Sequence, residues 1–142
     1  MADFKTKGFK AFAKKLKSFK GEIKGRAKRA IINAVINTQG DAKRLLTTQG
    51  SVDSGRLRSS IRFLVRNDGL AGEVFTDVFY AVFVEFGTKR HTIRATKAQA
   101  LFWKGAAHPV VSVEHPGTRP RPFLFPAFQK AQKQLIKDMK KL

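Results

Sequence analysis

Glu85 is the carboxylate of this chain most open to a chemical interpretation, because it stands inside the otherwise apolar run Tyr80–Gly87. A carboxylic acid withdrawn from water can act as a general acid, since burial favours its protonated form. The same group can instead anchor a loop, and Thr88, Lys89 and Arg90 follow it with a hydroxyl, backbone donors and two cations. A lone acid beside such donors is typical of a structural anchor, so we interpret Glu85 as structural.

The three histidines are the other candidates for catalysis or for metal binding. His91 and His115 could meet Glu85 or Glu114 in space, whereas a metal site needs three or more such ligands. Each histidine, His108 included, lies beside Pro, Thr or Arg in a predicted loop, where exposure is the ordinary outcome. The ten acids are scattered, and neither cysteine nor a glycine-rich phosphate loop occurs. We therefore predict no enzyme activity, no metal and no cofactor.

Composition limits the class of protein. The 142 residues suit one domain, and 42% of them are hydrophobic, including 13 Phe, so the chain can form a core. No run of about 18 apolar residues occurs, and the basic N-terminus has no apolar segment behind it, so we expect neither a membrane span nor a secretory signal. The lack of cysteine fits folding in the cytosol.

The net charge of +19 favours polyanionic partners, either nucleic acid or an acidic protein surface. Residues 1–30 alone hold eleven Lys/Arg and two acids, a net of +9. Their lysines can grip phosphates or can be a solvated face that keeps an apolar stripe soluble. A composition that is Lys-rich rather than Arg-rich, with one Trp and one Tyr, weakens the case for base stacking or base readout. A basic DNA-binding protein that acts through this N-terminal helix is the alternative function, while interior glycines argue against a membrane-surface helix.

The first third of the chain has the pattern of one long helix. Apolar residues recur at steps of three or four from Phe9 to Leu45, with lysines on the opposite face. Unbroken, residues 9–46 would span about 57 Å, which is too long for so small a domain to cover. Either the helix breaks near Gly21–Gly25 or Gly40, or part of it projects and needs a neighbour, which suggests self-assembly.

The rest of the chain reads as a small antiparallel sheet and a final helix. Residues 59–77 have the alternation of a β-hairpin, and Asn67-Asp68-Gly69 supply a tight turn with positive φ. Further short strands are predicted at Thr92–Ala95, Ala100–Trp103 and Val110–Val113, an extended surface segment at 115–122, and a last helix that begins at Pro126.

These elements predict an α+β fold in which a small antiparallel sheet is flanked by a long N-terminal helix and a C-terminal helix. We expect a single domain over residues 1–142. It divides into a basic helical region at 1–48, a β-rich core at 49–125 with a short helix near 79–86, and the final helix at 126–142.

Three blocks of the sequence resemble a known family. They are Asp53–Ile61 (DSGRLRSSI), Tyr80–Thr88 (YAVFVEFGT), and HPGT at 115–118 followed by RPFL at 121–124 and Pro126-Ala127. In this order and spacing, over roughly residues 45–130, they are similar to the tail-completion (head–tail joining) minor structural proteins of long-tailed bacteriophages and prophages. The structural motif residues are Gly55, Leu57, Tyr80, Glu85, Gly87, Thr88, Pro116, Gly117, Pro122 and Phe123.

The resemblance implies a non-enzymatic virion protein that assembles into a ring at the neck, between the portal–adaptor complex and the tail tube. We expect a homo-oligomer of six copies, in contact with an adaptor or stopper and with a tail terminator or tail tube. It would reside in the virion, and in the host cytoplasm during assembly. Non-specific contact with genomic DNA in the channel is a further expected interaction, beside the contacts with the neck proteins. The residues expected to face partners or DNA are Lys10, Lys14, Lys15, Lys17, Arg119 and Arg121; the first four lie in a region that matches none of the three blocks.

Overall fold

A computed structural model describes residues 7–51 and 55–141, and for residues 7–16 it describes the helical backbone alone. The predicted α+β fold is confirmed. Along the described chain, no helix is long and apolar enough to cross a membrane. The elements, in chain order, are α1 (Lys7–Thr48), α2 (Arg56–Ser60), β1 (Arg62–Arg66), a 3-10 turn (Asn67–Gly69), β2 (Ala71–Phe75), α3 (Ala81–Phe86), β3 (His91–Arg94), β4 (Ser112–His115) and α4 (Leu124–Met139).

Helix α1 runs without a break through Gly21, Gly25 and Gly40, so the helix projects rather than breaks. Its 42 residues span about 63 Å at 1.5 Å per residue. The C-terminal half packs on the rest of the fold, where Ala42 and Leu46 are fully buried. Residues 17–22, by contrast, are all exposed. The N-terminal part of α1 therefore extends beyond the surface that the chain itself covers.

The first hairpin forms over residues 62–75, which is shorter than the predicted 59–77 because Ser59 and Ser60 belong to α2. Strands β1 and β2 pair antiparallel, with Arg62 opposite Phe75 and Arg66 opposite Ala71. All three turn residues have positive φ, at 51° for Asn67, 54° for Asp68 and 86° for Gly69. The hairpin lies against α1, and Asp68 forms ion pairs there with Lys28 and Lys24.

The core lies where the C-terminal half of α1 meets α4 and the short helices. Its buried members are Ala42, Leu46, Leu57, Ile61, Val78, Ala81, Phe123 and Ala127. An ion pair joins the two long helices, because Asp41 of α1 lies 2.9 Å from the Lys130 ammonium of α4 and also binds Arg44. Burial alone would raise the pKa of Asp41. The hydrogen bonds and charges of Lys130 and Arg44 outweigh it, so this pKa lies below its ordinary value.

Two of the predicted strands differ from the observed ones. Ala100–Trp103 is not a strand, since Leu101 alone of these residues forms a bridge, to Val110. The chain turns directly afterwards, where the N–H of Ala106 donates to the carbonyl of Trp103 at 2.9 Å. Strand β4 begins at Ser112 rather than Val110, and it pairs antiparallel with β3 in a separate two-stranded sheet.

Candidate functional site

The carboxylate of Glu85 accepts hydrogen bonds from the first backbone N–H groups of α4. Those of Phe123 and Leu124 donate to Oε2, and that of Phe125 donates to Oε1, all at 2.9 Å. A helix leaves the N–H groups of its first turn without internal partners, and a negative charge there is favourable to the helix dipole. Glu85 is 7% exposed, so the site of this contact is buried. The sequence pointed to the donors of Thr88, Lys89 and Arg90 as partners of Glu85. In the structure its partners are instead the N–H groups at the start of α4.

This contact also explains why α4 begins at Leu124 and not at Pro126. Pro126 is the third helical residue, and it has no N–H that needs a partner. Glu85 satisfies the N–H groups of the two helical residues before it, so the helix can start earlier than a proline-based prediction allows. The prediction of Pro126 as the first helical residue was therefore wrong by two residues.

A second contact, the glycine clasp, joins Gly87-Thr88 to Gly117-Thr118. The N–H of Thr88 donates to the carbonyl of Thr118 at 3.0 Å, and the reverse bond measures 3.1 Å. Gly87 and Gly117 have φ of 72° and 88°, and a Cβ on either would overlap the carbonyl oxygen of the opposite threonine. The clasp therefore requires glycine at both positions.

The other motif residues lie around these contacts. Gly55 precedes α2 with φ of 76°, and Leu57 and Phe123 are buried in the core. The carbonyl of Pro122 accepts a hydrogen bond from the Gln49 amide at 2.9 Å. Tyr80, half-buried, precedes α3, and Pro116 is exposed beside the clasp. Asp53 and Ser54 lie outside the described residues. The blocks thus meet where α3 ends and α4 begins.

The histidines do not join Glu85. His91 and His115 face each other across β3 and β4, with ring centroids 5.0 Å apart. The Nδ1 of His115 accepts the N–H of Gly117 at 3.0 Å, and the Nδ1 of His91 contacts the carbonyl of Lys89 at 2.8 Å. His108 is exposed in the loop between the strands. Within residues 7–51 and 55–141, no three His, Cys, Asp or Glu residues come together as metal ligands would.

An apolar groove of about 990 Å³ opens on the described part of the chain, and the sequence did not reveal it. Its walls come from α1, β2, α3 and α4, where the lining extends as far as Leu135. Five phenylalanines on it remain exposed: Phe79 (81%), Phe86 (71%), Phe125 (58%), Phe128 (51%) and Phe75 (39%). An apolar surface of this kind is typical of a binding site. Because four separate elements build the groove, no local pattern could have identified it.

The basic residues expected to face partners lie on different elements. Lys17 is exposed on the projecting part of α1, while the side chains of Lys10, Lys14 and Lys15 lie outside the described ones. Arg119 is exposed, and the Arg121 guanidinium lies 3.4 Å from the carbonyl of Gly50. These six residues therefore do not form a single patch that the structure describes.

The chain matches a family model described as "Bacteriophage HK97-gp10, putative tail-component" over residues 10–87. No curated protein and no solved structure matches the chain. The matched segment is just over half of the chain. It includes most of α1, which the three blocks had left unassigned, and ends at Gly87, before the third block. The chain belongs to the HK97-gp10-like family of bacteriophage tail components.

Proposed function

We propose that this protein is a structural component of the phage neck, which forms a ring with copies of itself and joins the portal–adaptor complex to the tail. The family supports a virion protein of the tail. The observation that carries the ring is the exposed apolar groove, because the chain leaves it open although it buries a core of its own.

The projecting part of α1 is the proposed occupant of the groove of a second copy. Phe19 on it is 57% exposed. In the sequence, apolar residues precede Phe19 at steps of three and four residues, at Leu16 and Phe12. An amphipathic helix recognises a groove through anchors at such steps of three and four residues. The chain therefore carries two different surfaces that need partners. One is the projecting N-terminal part of α1, and the other is the groove, one wall of which is the C-terminal half of the same helix.

A contact between two different surfaces is heterologous, and repeated around an axis it closes into a ring. The lysines on the polar face of α1 would then line the channel or face an acidic neighbouring ring. The work of such a protein is to hold others in place, so we propose no catalytic role for Glu85 or the histidines.

The oligomeric state of groove variants tests this function. We expect rings from the purified protein in negative-stain images and by native mass spectrometry. Phe128→Glu places a charge in the groove and should give monomers. Ile136→Glu is the matched control, since Ile136 lies on the same helix, is 48% exposed and does not line the groove. Monomeric wild-type protein at all concentrations, with no ring of this protein in the virion, would contradict the proposal.

A further inference from the structure

Residues 89–121 form a ribbon arm that the rest of the described chain barely contacts. Its strands β3 and β4 pair with each other and have no substantial packing on α1, α4 or the first hairpin. No residue between 86 and 122 is buried. The glycine clasp fixes the base of the arm, where Thr88 bridges Thr118. The arm is thus anchored at one end and open to contacts along its length.

The charge of the ribbon arm is strongly positive. It holds seven Lys/Arg and one acid, Glu114, which is already engaged by Thr92 and by Arg90 at 3.6 Å. Across the part of the chain that the structure describes, the other cations of the arm have no carboxylate partner. They are Lys89, Arg94, Lys97, Lys104, Arg119 and Arg121.

Two exposed aromatic residues lie between these cations in the sequence of the arm. Phe102 is 68% exposed and Trp103 is 47% exposed. The turn that follows Trp103 closes at Ala106 and carries Lys104 and Gly105, with φ of 100° at the glycine. An exposed indole next to a lysine offers a flat apolar face and a positive charge in the same place.

We propose that the ribbon arm binds nucleic acid without sequence preference, with its cations on the phosphates and Trp103 as a stacking surface. Cations that track a backbone and aromatic faces that accept any base are the two parts of such sites. Nucleic acid fits the arm because its phosphates supply the negative charges that these cations lack within the described chain. This inference goes beyond ring formation and does not depend on it. It places a DNA contact on the arm, apart from α1.

Trp103 is the only tryptophan of the chain, so its fluorescence reports on the arm alone. We would titrate the full-length protein with oligo-dT and with a duplex of the same length at several salt concentrations. Stacking should quench the emission. The triple variant Arg94→Gln/Lys97→Gln/Lys104→Gln should reduce the slope of log K against log salt by about 2 to 3, at roughly 0.7 to 0.9 per phosphate contact.

The matched control removes the same charge from α4 and the residue that caps its C-terminus, where Lys133, Lys137 and Lys140 are exposed. Changing these three to Gln should leave the slope and the quenching near wild type. Polyglutamate serves as a polyanion without bases, and it should not quench Trp103.

Three results would overturn the proposal. The first is nucleic-acid binding, seen by anisotropy, that leaves Trp103 emission unchanged and responds equally to both triple variants. The second is equal quenching by polyglutamate. The third is a blue shift of Trp103 that grows with protein concentration alone, which would mean that the arm is buried against another copy.

Discussion

Glu85 and Pro126 complement each other at the start of α4. The carboxylate of Glu85 accepts the N–H groups of the three residues before Pro126, and Pro126 has no N–H to offer. No donor of this first turn is left without a partner. A single acid in an apolar run thus ties α3 to α4, and both oxygens of the carboxylate that suggested catalysis accept hydrogen bonds from the fold.

Replacement of Glu85 should therefore destabilise the protein. Glu85→Ala leaves buried N–H groups without acceptors, and we expect the free energy of unfolding to fall by about 3 kcal/mol or more, at about 1 to 3 kcal/mol per unsatisfied group. Glu85→Gln keeps one oxygen and should cost less. Urea unfolding followed by circular dichroism measures both, with the exposed Glu22→Gln as a control expected within about 0.5 kcal/mol of wild type. Wild-type stability of Glu85→Ala would refute this role.

The glycine clasp gives a second stability prediction. Gly87→Ala and Gly117→Ala add a Cβ at a positive φ and against a backbone oxygen, so each should cost more than the 1 to 3 kcal/mol or so of backbone strain alone. Gly105→Ala is the matched control, because φ is also positive at Gly105 but no atom lies within 4 Å of the new Cβ. Equal losses of thermal stability in all three variants would show that the close approach is unimportant.

The ion pair of Asp41 should make the free energy of unfolding decrease in acid. The pKa of Asp41 is lowered in the folded state, so the Asp41 contribution is present above the ordinary value of 3.8 and is lost as the pH falls through the folded pKa. At pH 7, Asp41→Asn should cost about 2 kcal/mol, the size of hydrogen bonds to charged groups. The difference in the free energy of unfolding between wild type and Asp41→Asn should become smaller when unfolding is measured near pH 3. A difference that does not change with pH would contradict the ion pair with Lys130.

The lysines of the projecting helix should matter for assembly and not for folding. Changing Lys10, Lys14, Lys15 and Lys17 to Gln removes four charges from the N-terminal part of α1, where residues 17–22 are all exposed. We expect unaltered thermal unfolding and a block of head–tail joining, seen as separate heads and tails in electron micrographs. Normal yields of infectious particles would show that these lysines face solvent.

Local patterns predicted the local parts of this fold. Apolar residues at steps of three and four predicted α1, and the sequence Asn67-Asp68-Gly69 predicted the hairpin turn. Both predictions succeed because a helix and a tight turn depend on residues that are close along the chain. The partner of Glu85 was missed since Phe123 lies 38 residues away, and a single sequence does not show which helix end reaches a given acid. Ala100–Trp103 has the composition of a strand, but the turn at Lys104-Gly105 follows it directly, and one bridge forms there.

The most direct test of assembly is a disulfide between copies. The chain has no cysteine, so Phe19→Cys with Phe128→Cys introduces a single designed pair, one on the projecting helix and one in the groove. If α1 of one copy occupies the groove of the next, mild oxidation should give a ladder of covalent multimers on a non-reducing gel. Each single variant should give dimers at most. Monomers alone from the double variant, under conditions in which rings form, would contradict the proposed contact.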